Sequence, residues 1–216
     1  MAYPFDRTLR SLQGYESGTR VLLVDHHDSF VHTLANYIRQ TGAEVVTLRA
    51  GFPEATLDRQ APDLVVLSPG PGTPQDFDVS GTLAALVRRG IPTFGVCLGL
   101  QGMVEHFGGA LGVLDYPMHG KPSRIKTTGG RLFDGFPDEF TAGRYHSLYA
   151  LPESVPAELR VTAESLDGVV MAVEHETLPV WAVQFHPESI LTLDGHFGHR
   201  LIGNVMQLVG VSAPPA

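Results

Sequence analysis

Short apolar runs alternate with helical patterns through the first half of the chain, and this alternation constrains the fold more than any other feature. Strands are predicted over residues 21–25, 44–48, 63–67 and 91–96, and helices over about 29–42, 80–89 and 98–107. Because strand–helix–strand units place successive strands parallel, the pattern predicts an α/β fold. Its expected form is a doubly wound, mostly parallel central sheet flanked by helices.

The second half of the chain has a different pattern, with short strands and turns from residue 111 to 185. A closing helix is predicted over residues 195–209. Residues 1–18 are polar and aperiodic, and we expect a linker or N-terminal extension there. One domain is expected over residues 19–211, followed by a tail over residues 212–216.

Composition narrows the possible partners. The 216 residues carry a net charge of −8 and no cluster of Lys or Arg, which argues against binding to nucleic acid. No stretch approaches the roughly 20 apolar residues of a membrane span. A single cysteine permits no intrachain disulfide, so a secreted, cross-linked fold is not indicated. We therefore expect a cytoplasmic protein that binds neither nucleic acid nor membrane.

The single cysteine, Cys97, lies in GVCLGLQ (residues 95–101), between a predicted strand and a predicted helix. An unpaired cysteine is often a small buried packing residue. The spacing Gly95-x-Cys97-x-Gly99, however, is that of a nucleophile elbow, in which glycines permit a sharp turn that exposes the central side chain. On these residues alone both interpretations remain open.

Two further segments follow predicted strands, and in an open parallel sheet ligands bind beyond the carboxyl ends of the strands. SPGPGTP (68–74) is either a simple tight loop or a rigid loop whose Gly70 and Gly72 let a substrate approach the backbone. QFHPES (184–189) lies at the end of a strand predicted over residues 180–185, and extended backbone there places Glu188 within reach of the His186 imidazole. With Cys97, this pair would supply the nucleophile, base and orienting group of cysteine-based acyl transfer.

The remaining histidines raise the question of a metal site. His26 and His27 are adjacent, and His196 and His199 are three residues apart. No further cysteine or His-x-x-x-His set accompanies them, so no metal is predicted.

The three segments SPGPGTP, GVCLGLQ and QFHPES resemble the class I glutamine amidotransferases over about residues 20–209. DHHDSF (25–30), MHGKPS (118–123) and RYHSL (144–148) are similar to the glutaminase components of chorismate-using synthases, chiefly the anthranilate and aminodeoxychorismate types. Most stand-alone members carry His where Leu100 stands, and Leu there is similar to enzymes that fuse synthase and glutaminase. The resemblance implies the flavodoxin-like sheet of this family.

The resemblance also implies roles for individual residues. Cys97 would be the nucleophile, His186 the acid and base, and Glu188 the group that orients His186. Backbone N–H groups of Gly70 and Leu98 would bind the oxyanion. The positions that match glutamine-binding residues are Gly70, Pro71, Gly72, Gln101, Ser147 and Leu148. Ammonia would pass to a chorismate-binding synthase, either separate or fused to this domain; this domain would need no cofactor, and any Mg²⁺ would belong to the synthase.

Three other functions remain open at this stage. The chain could be a stand-alone glutaminase or γ-glutamyl hydrolase, although the HGKPS segment argues against it. It could serve an aminodeoxychorismate-type synthase. It could also be a non-catalytic docking or regulatory module with the same fold, an interpretation that Leu100 keeps open.

Overall fold

A nine-stranded sheet forms the centre of residues 18–210, which are the residues that the computed structural model describes. The predicted extension, up to residue 17, and the predicted tail lie outside this range. The strands are β1 (Arg20–Asp25), β2 (Glu44–Arg49), β3 (Leu64–Leu67), β4 (Thr93–Val96), β5 (Leu111–Thr127), β6 (Glu139–Ala150), β7 (Leu159–Ser165), β8 (Val170–His175) and β9 (Val180–Val183). The α-helices in this range are α1 (Val31–Arg39), α2 (Ala55–Gln60), α3 (Val79–Arg88), α4 (Leu98–His106) and α5 (Phe197–Leu208).

The strand order is β2-β1-β3-β4-β9-β8-β7-β5-β6. The pairs β1–β2, β1–β3, β3–β4 and β4–β9 are parallel, so five adjacent strands form the predicted parallel sheet. The other four strands continue the same sheet in antiparallel pairs. The α/β prediction is confirmed, and the parallel part is joined to an antiparallel part of nearly equal size.

The central strands of the parallel part are covered by helices on both faces, which explains why they are apolar at successive positions. Val21 and Leu23 of β1 belong to the apolar cluster that includes side chains of α1 and α5. Leu22 and Val24, which point the other way, belong to the cluster of α2, α3 and α4. A strand with both faces buried has no polar alternation, and this is the pattern that predicted a doubly wound sheet.

The long antiparallel hairpin of β5 and β6 was not predicted. Pro117, Gly120 and Pro122 interrupt the sequence of β5, and such residues usually end a strand. Their part of β5 pairs only with β6, because β7 joins β5 solely over residues 125–127, and the ladder has two irregularities between Val113 and Lys121. Prolines are tolerated where one side of a strand is unpaired or bulged.

This fold brings the three sequence segments to one edge of the sheet. SPGPGTP follows β3, Cys97 follows β4, and residues 184–189 follow β9, and these three strands are adjacent and parallel. The hairpin reaches the same edge, since Gly143 of β6 forms an isolated antiparallel bridge with His186. The candidate site is therefore built from both parts of the sheet.

Candidate active site

The turn at Cys97 has an uncommon backbone conformation, with φ 54° and ψ −98°. A residue other than glycine rarely has positive φ, and such strain is concentrated at functional sites. The flanking glycines are required by close packing. A Cβ at Gly95 would lie 2.7 Å from the backbone carbon of Gly99, and one at Gly99 would lie 2.9 Å from the Leu67 carbonyl oxygen. The strand-to-helix corner therefore holds Cys97 at the end of β4 and the start of α4.

The elbow pattern predicts an exposed side chain, and in this respect the structure differs. Cys97 is only 5% exposed. The Gln184 side chain covers it and donates from Nε2 to Cys97 Sγ at 3.5 Å. The thiol is thus both packed in the core and in contact with polar groups, so the two interpretations of Cys97 are not exclusive.

His186 and Glu188 form a buried pair. Nδ1 of His186 lies 2.7 Å from Oε1 of Glu188, and the two residues are 2% and 3% exposed. A carboxylate accepts, so the Nδ1 position carries the proton and Nε2 keeps its lone pair in the neutral ring. Burial disfavours the imidazolium, but the Glu188 carboxylate and the electrostatic interaction with Cys97 outweigh it and raise the pKa of His186 well above its usual value.

Two aromatic rings enclose the His186 imidazole. The ring centroids of Tyr145 and Phe30 lie 5.0 and 5.7 Å from that of His186, both in edge-to-face orientations. Tyr145 Oη also shares a hydrogen bond of 3.1 Å with Ser189 Oγ. Asp28 lies nearby, and burial raises the pKa of its carboxyl group. The Glu188 carboxylate adds to this increase, whereas the Phe30 N–H and His186 oppose it. The ring contacts hold the plane of the imidazole.

Gly70 lies where the loop after β3 meets the start of α4. A Cβ at Gly70 would lie 2.7 Å from Leu98 Cδ2 and 2.7 Å from His26 Cβ, so only glycine fits. Gly70 and Leu98, the two residues predicted to bind an oxyanion, are therefore in contact. Pro71 and Gly72 of the same loop are exposed to solvent, and Gly72 has φ +73°.

The other predicted glutamine contacts lie on α4 and β6. Gln101 Nε2 donates to the Leu148 carbonyl at 3.0 Å and to Gln184 Oε1 at 3.3 Å. Ser147 and Leu148 are partly exposed on β6. The amide of Gln184 therefore links the Cys97 thiol to Gln101, and Gln101 links it to β6.

The buried guanidinium of Arg144 holds the end of β6 near Leu148 through a chain of hydrogen bonds. Arg144 is fully buried and binds both carboxylate oxygens of Asp167, at 2.9 and 3.0 Å. Its Nε donates to Nε2 of His146 at 3.0 Å, and Nδ1 of His146 donates to the Leu148 carbonyl at 2.9 Å. Burial and the Arg144 charge lower the pKa of His146 to about 4, so this ring is neutral at neutral pH.

The remaining sequence candidates lie elsewhere. Leu100 is fully buried in the apolar cluster that also holds Leu83 and Leu86 of α3. His199 stacks on Tyr37 with ring centroids 3.8 Å apart. Within residues 18–210, no group of three or more His, Cys, Asp or Glu side chains could hold a metal ion. No helix in that range is long and apolar enough to cross a membrane.

Comparison with known proteins identifies the family. The family model described as "Glutamine amidotransferase class-I" matches residues 22–202. The chain belongs to this family. The solved structure of a glutamine amidotransferase from Thermotoga maritima has the same fold, with a TM-score of 0.72 and 14% identity, over 90% of this chain and 99% of that one.

Two relatives of this amidotransferase differ in length. The chain is 63% identical over 196 residues to "Anthranilate synthase" of Azospirillum brasilense, covering 91% of this chain but only 27% of that protein. It is 45% identical to "Anthranilate synthase component 2" of Mycobacterium tuberculosis (strain H37Rv), covering 88% of this chain and 83% of the relative. The amidotransferase thus matches about a quarter of the longer relative and most of the shorter one.

Three side chains that contact Cys97 or His186 were not predicted from the sequence: Gln184, Phe30 and Tyr145. For Gln184 a signal was available. It stands two residues before His186, and alternate residues of an extended segment share a face. Phe30 and Tyr145 lie within the segments DHHDSF and RYHSL, but their contacts with His186 join residues far apart in the chain, which no local pattern indicates.

Proposed function

We propose that this amidotransferase is the glutaminase component of a chorismate-using synthase, of the type that forms anthranilate for tryptophan biosynthesis. The proposal rests on one observation above all: the only thiol, that of Cys97, lies in a strained turn directly after β4, and the buried His186–Glu188 pair follows the adjacent strand β9 at the same edge of the sheet. The relation to anthranilate synthases supports the choice of synthase.

In the first half of the reaction, the Cys97 sulfur attacks the side-chain amide carbon of glutamine. The new C–S bond forms a tetrahedral intermediate, whose oxyanion accepts hydrogen bonds from the N–H groups of Gly70 and Leu98. His186 takes the thiol proton and passes it to the amide nitrogen as the C–N bond breaks. The products of this half are ammonia and a glutamyl thioester on Cys97.

In the second half, His186 removes a proton from water, which attacks the thioester carbon. Glutamate leaves, and Cys97 recovers its proton. Glu188 holds the Nδ1 proton of His186 throughout, so that Nε2 exchanges protons with the reacting groups. Thiol, imidazole, carboxylate and water supply every step, and we propose that this domain needs no cofactor.

The substrate would lie between the exposed loop and β6. We propose that Gly70, Pro71 and Gly72 contact glutamine from one side and that Gln101, Ser147 and Leu148 contact it from the other. Ammonia would then pass to the chorismate site of a synthase that is either a separate chain or a fused domain. Because a thiol nucleophile must stay reduced, we place the reaction in the cytoplasm.

The test uses the chain together with its synthase. Cys97→Ser should abolish glutamine-dependent amination of chorismate, whereas amination with added ammonium salt should continue at the wild-type rate. The ammonium reaction is the internal control for an intact complex. Glutamine-dependent activity in the variant would refute the role of Cys97.

Product analysis in the same assay decides between synthases. Anthranilate is the expected product, and aminodeoxychorismate would favour the alternative partner. Labelling of the wild-type thiol by a glutamine-analogue chloroketone distinguishes the enzyme from a non-catalytic module, which would not react.

A further inference from the structure

His26 follows β1 and is fully buried at the edge of the sheet where the candidate site lies. Because β1 pairs with β3, the residue after β1 lies beside Ser68, the residue after β3. The roles proposed above do not involve His26, although a buried imidazole loses hydration that its surroundings must replace.

The contacts between His26 and Ser68 replace much of that hydration. The main-chain N–H of His26 donates to Ser68 Oγ at 2.9 Å, and Nδ1 of its ring donates to the Ser68 carbonyl at 3.0 Å. Ser68 Oγ in turn donates to the Pro69 carbonyl at 2.6 Å. The His26 ring thus holds the Ser68 carbonyl directly, and the His26 main-chain N–H holds the Pro69 carbonyl through Ser68 Oγ. These are the carbonyls of the two peptide groups that precede Gly70.

The same residue holds the loop at two other points. A Cβ on Gly70 would meet His26 Cβ at 2.7 Å and the His26 carbonyl oxygen at 2.9 Å, so Gly70 lies directly on His26. Beyond the loop, the ring of Phe77 packs edge-on against the His26 ring, with centroids 5.4 Å apart. His26 therefore contacts the segment Ser68–Phe77 near its start, at Ser68 and Gly70, and at its end, at Phe77.

We propose that His26 is a positioning residue for glutamine hydrolysis, which holds the segment Ser68–Gly70 so that the Gly70 N–H points at the oxyanion. This inference rests on the proposed function, because it requires the oxyanion contact at Gly70. A neutral His26 ring with its proton on Nδ1 can make the hydrogen bond to the Ser68 carbonyl that this role requires. Burial lowers the pKa of His26 to about 4, against the opposing hydrogen bond to Ser68 and the charge of Asp25.

A role in packing alone makes a different prediction. His26→Phe keeps an aromatic ring against Phe77 but removes the donor to the Ser68 carbonyl, whereas His26→Asn gives up the ring and retains a side-chain N–H. If His26 only fills space, Phe is the better substitute. If it positions the loop, Asn is better. The next residue offers a matched control, since His27 is exposed and its positive φ of 63° suits Asn.

The assay measures glutamine hydrolysis by the full chain with its synthase, together with alkylation of Cys97 by iodoacetamide, which needs no oxyanion contact. Loss of one oxyanion donor costs about 10²–10³ in rate, and a displaced donor costs part of that. We expect His26→Phe to lower kcat by about 10- to 100-fold, with KM and the alkylation rate changed by less than about threefold. We expect kcat within about threefold of wild type for His26→Asn and for His27→Asn.

Three results would overturn the inference: a wild-type kcat in His26→Phe, an alkylation rate that falls as much as kcat, or a greater loss in His26→Asn than in His26→Phe. Should His26→Phe fail to fold, Ser68→Ala tests the same contact from the other side and should also lower kcat with little change in KM. Failure of the proposed function gives a distinct result, because wild-type chain and synthase would then show no Cys97-dependent glutamine hydrolysis.

Discussion

Glu188→Gln tests the electrostatic part of the site with almost no change in shape. The carboxylate accepts from Nδ1 of His186 at 2.7 Å, and Glu188 Oε2 is buried without a hydrogen-bond partner in residues 18–210. An amide in this place can donate to Nδ1 instead, which favours the tautomer with the proton on Nε2. That tautomer cannot accept the thiol proton of Cys97.

We expect Glu188→Gln to lower kcat strongly, but less than removal of the base His186 does. Where the orienting carboxylate of a catalytic triad is replaced, kcat falls by about 10⁴-fold, roughly 10- to 100-fold less than on removal of the base. We expect the same ranking here, with His186→Ala nearly as damaging as loss of Cys97. Glu153→Gln, the same substitution at an exposed carboxylate, is the control and should change kcat by less than about twofold.

The substitution should also move the pH profile in a defined direction. The Glu188 carboxylate raises the pKa of His186 against the effect of burial. Without the carboxylate, burial is less opposed and the pKa falls, so His186 loses its proton at lower pH. His186 must hold the proton that it takes from Cys97 until it protonates the departing ammonia, and the alkaline limb of kcat/KM, where this proton is lost, should therefore move to lower pH. An unmoved limb, or equal losses in Glu188→Gln and His186→Ala, would refute this reasoning.

Three further predictions concern packing, charge and coupling. Gly99→Ala should lower the free energy of unfolding by about 1–3 kcal/mol in urea titrations, because its Cβ would lie 2.9 Å from the Leu67 carbonyl oxygen; an unchanged midpoint would contradict the close packing. Asp167→Asn should cost about 1–3 kcal/mol in the same assay, less than for a fully buried pair, because the Asp167 side chain is 48% exposed while Arg144 is buried. The free chain should hydrolyse glutamine slowly, and synthase with chorismate should raise steady-state kcat, because binding can order the exposed loop at Pro71 and Gly72; equal rates would exclude this coupling.

Most of the parallel part of the fold follows from local sequence patterns. β1, β3 and β4 are short and apolar at successive positions, and α1, α3 and α4 begin and end close to where periodicity and glycines indicate, whereas α2 was not predicted. These signals are local, because a strand buried on both faces and a helix buried on one face each leave a pattern within about 18 residues. The same signals placed SPGPGTP, Cys97 and His186 after three strands, and hence at one edge of the sheet.

The prediction for the second half was less complete for an equally physical reason. Pro117 and Pro122 carry local signals against a strand, yet pairing with β6 overrides them, and nothing near β5 in the sequence specifies its partner. Gly143, which bridges to His186, lies in the part of β6 that pairs with this segment of β5. Strand propensity reflects the packing of neighbours, so it fails where those neighbours are distant in the chain.

The contacts that hold the site could not be predicted, because they join residues far apart in the chain. Gln184 reaches Cys97 across 87 residues of sequence, and His26 reaches Ser68 across 42. Both contacts exist because buried polar groups must find hydrogen-bond partners among whatever side chains the fold places beside them. Residue types and their spacing identify groups that can react, whereas the partners that orient those groups are set by long-range packing.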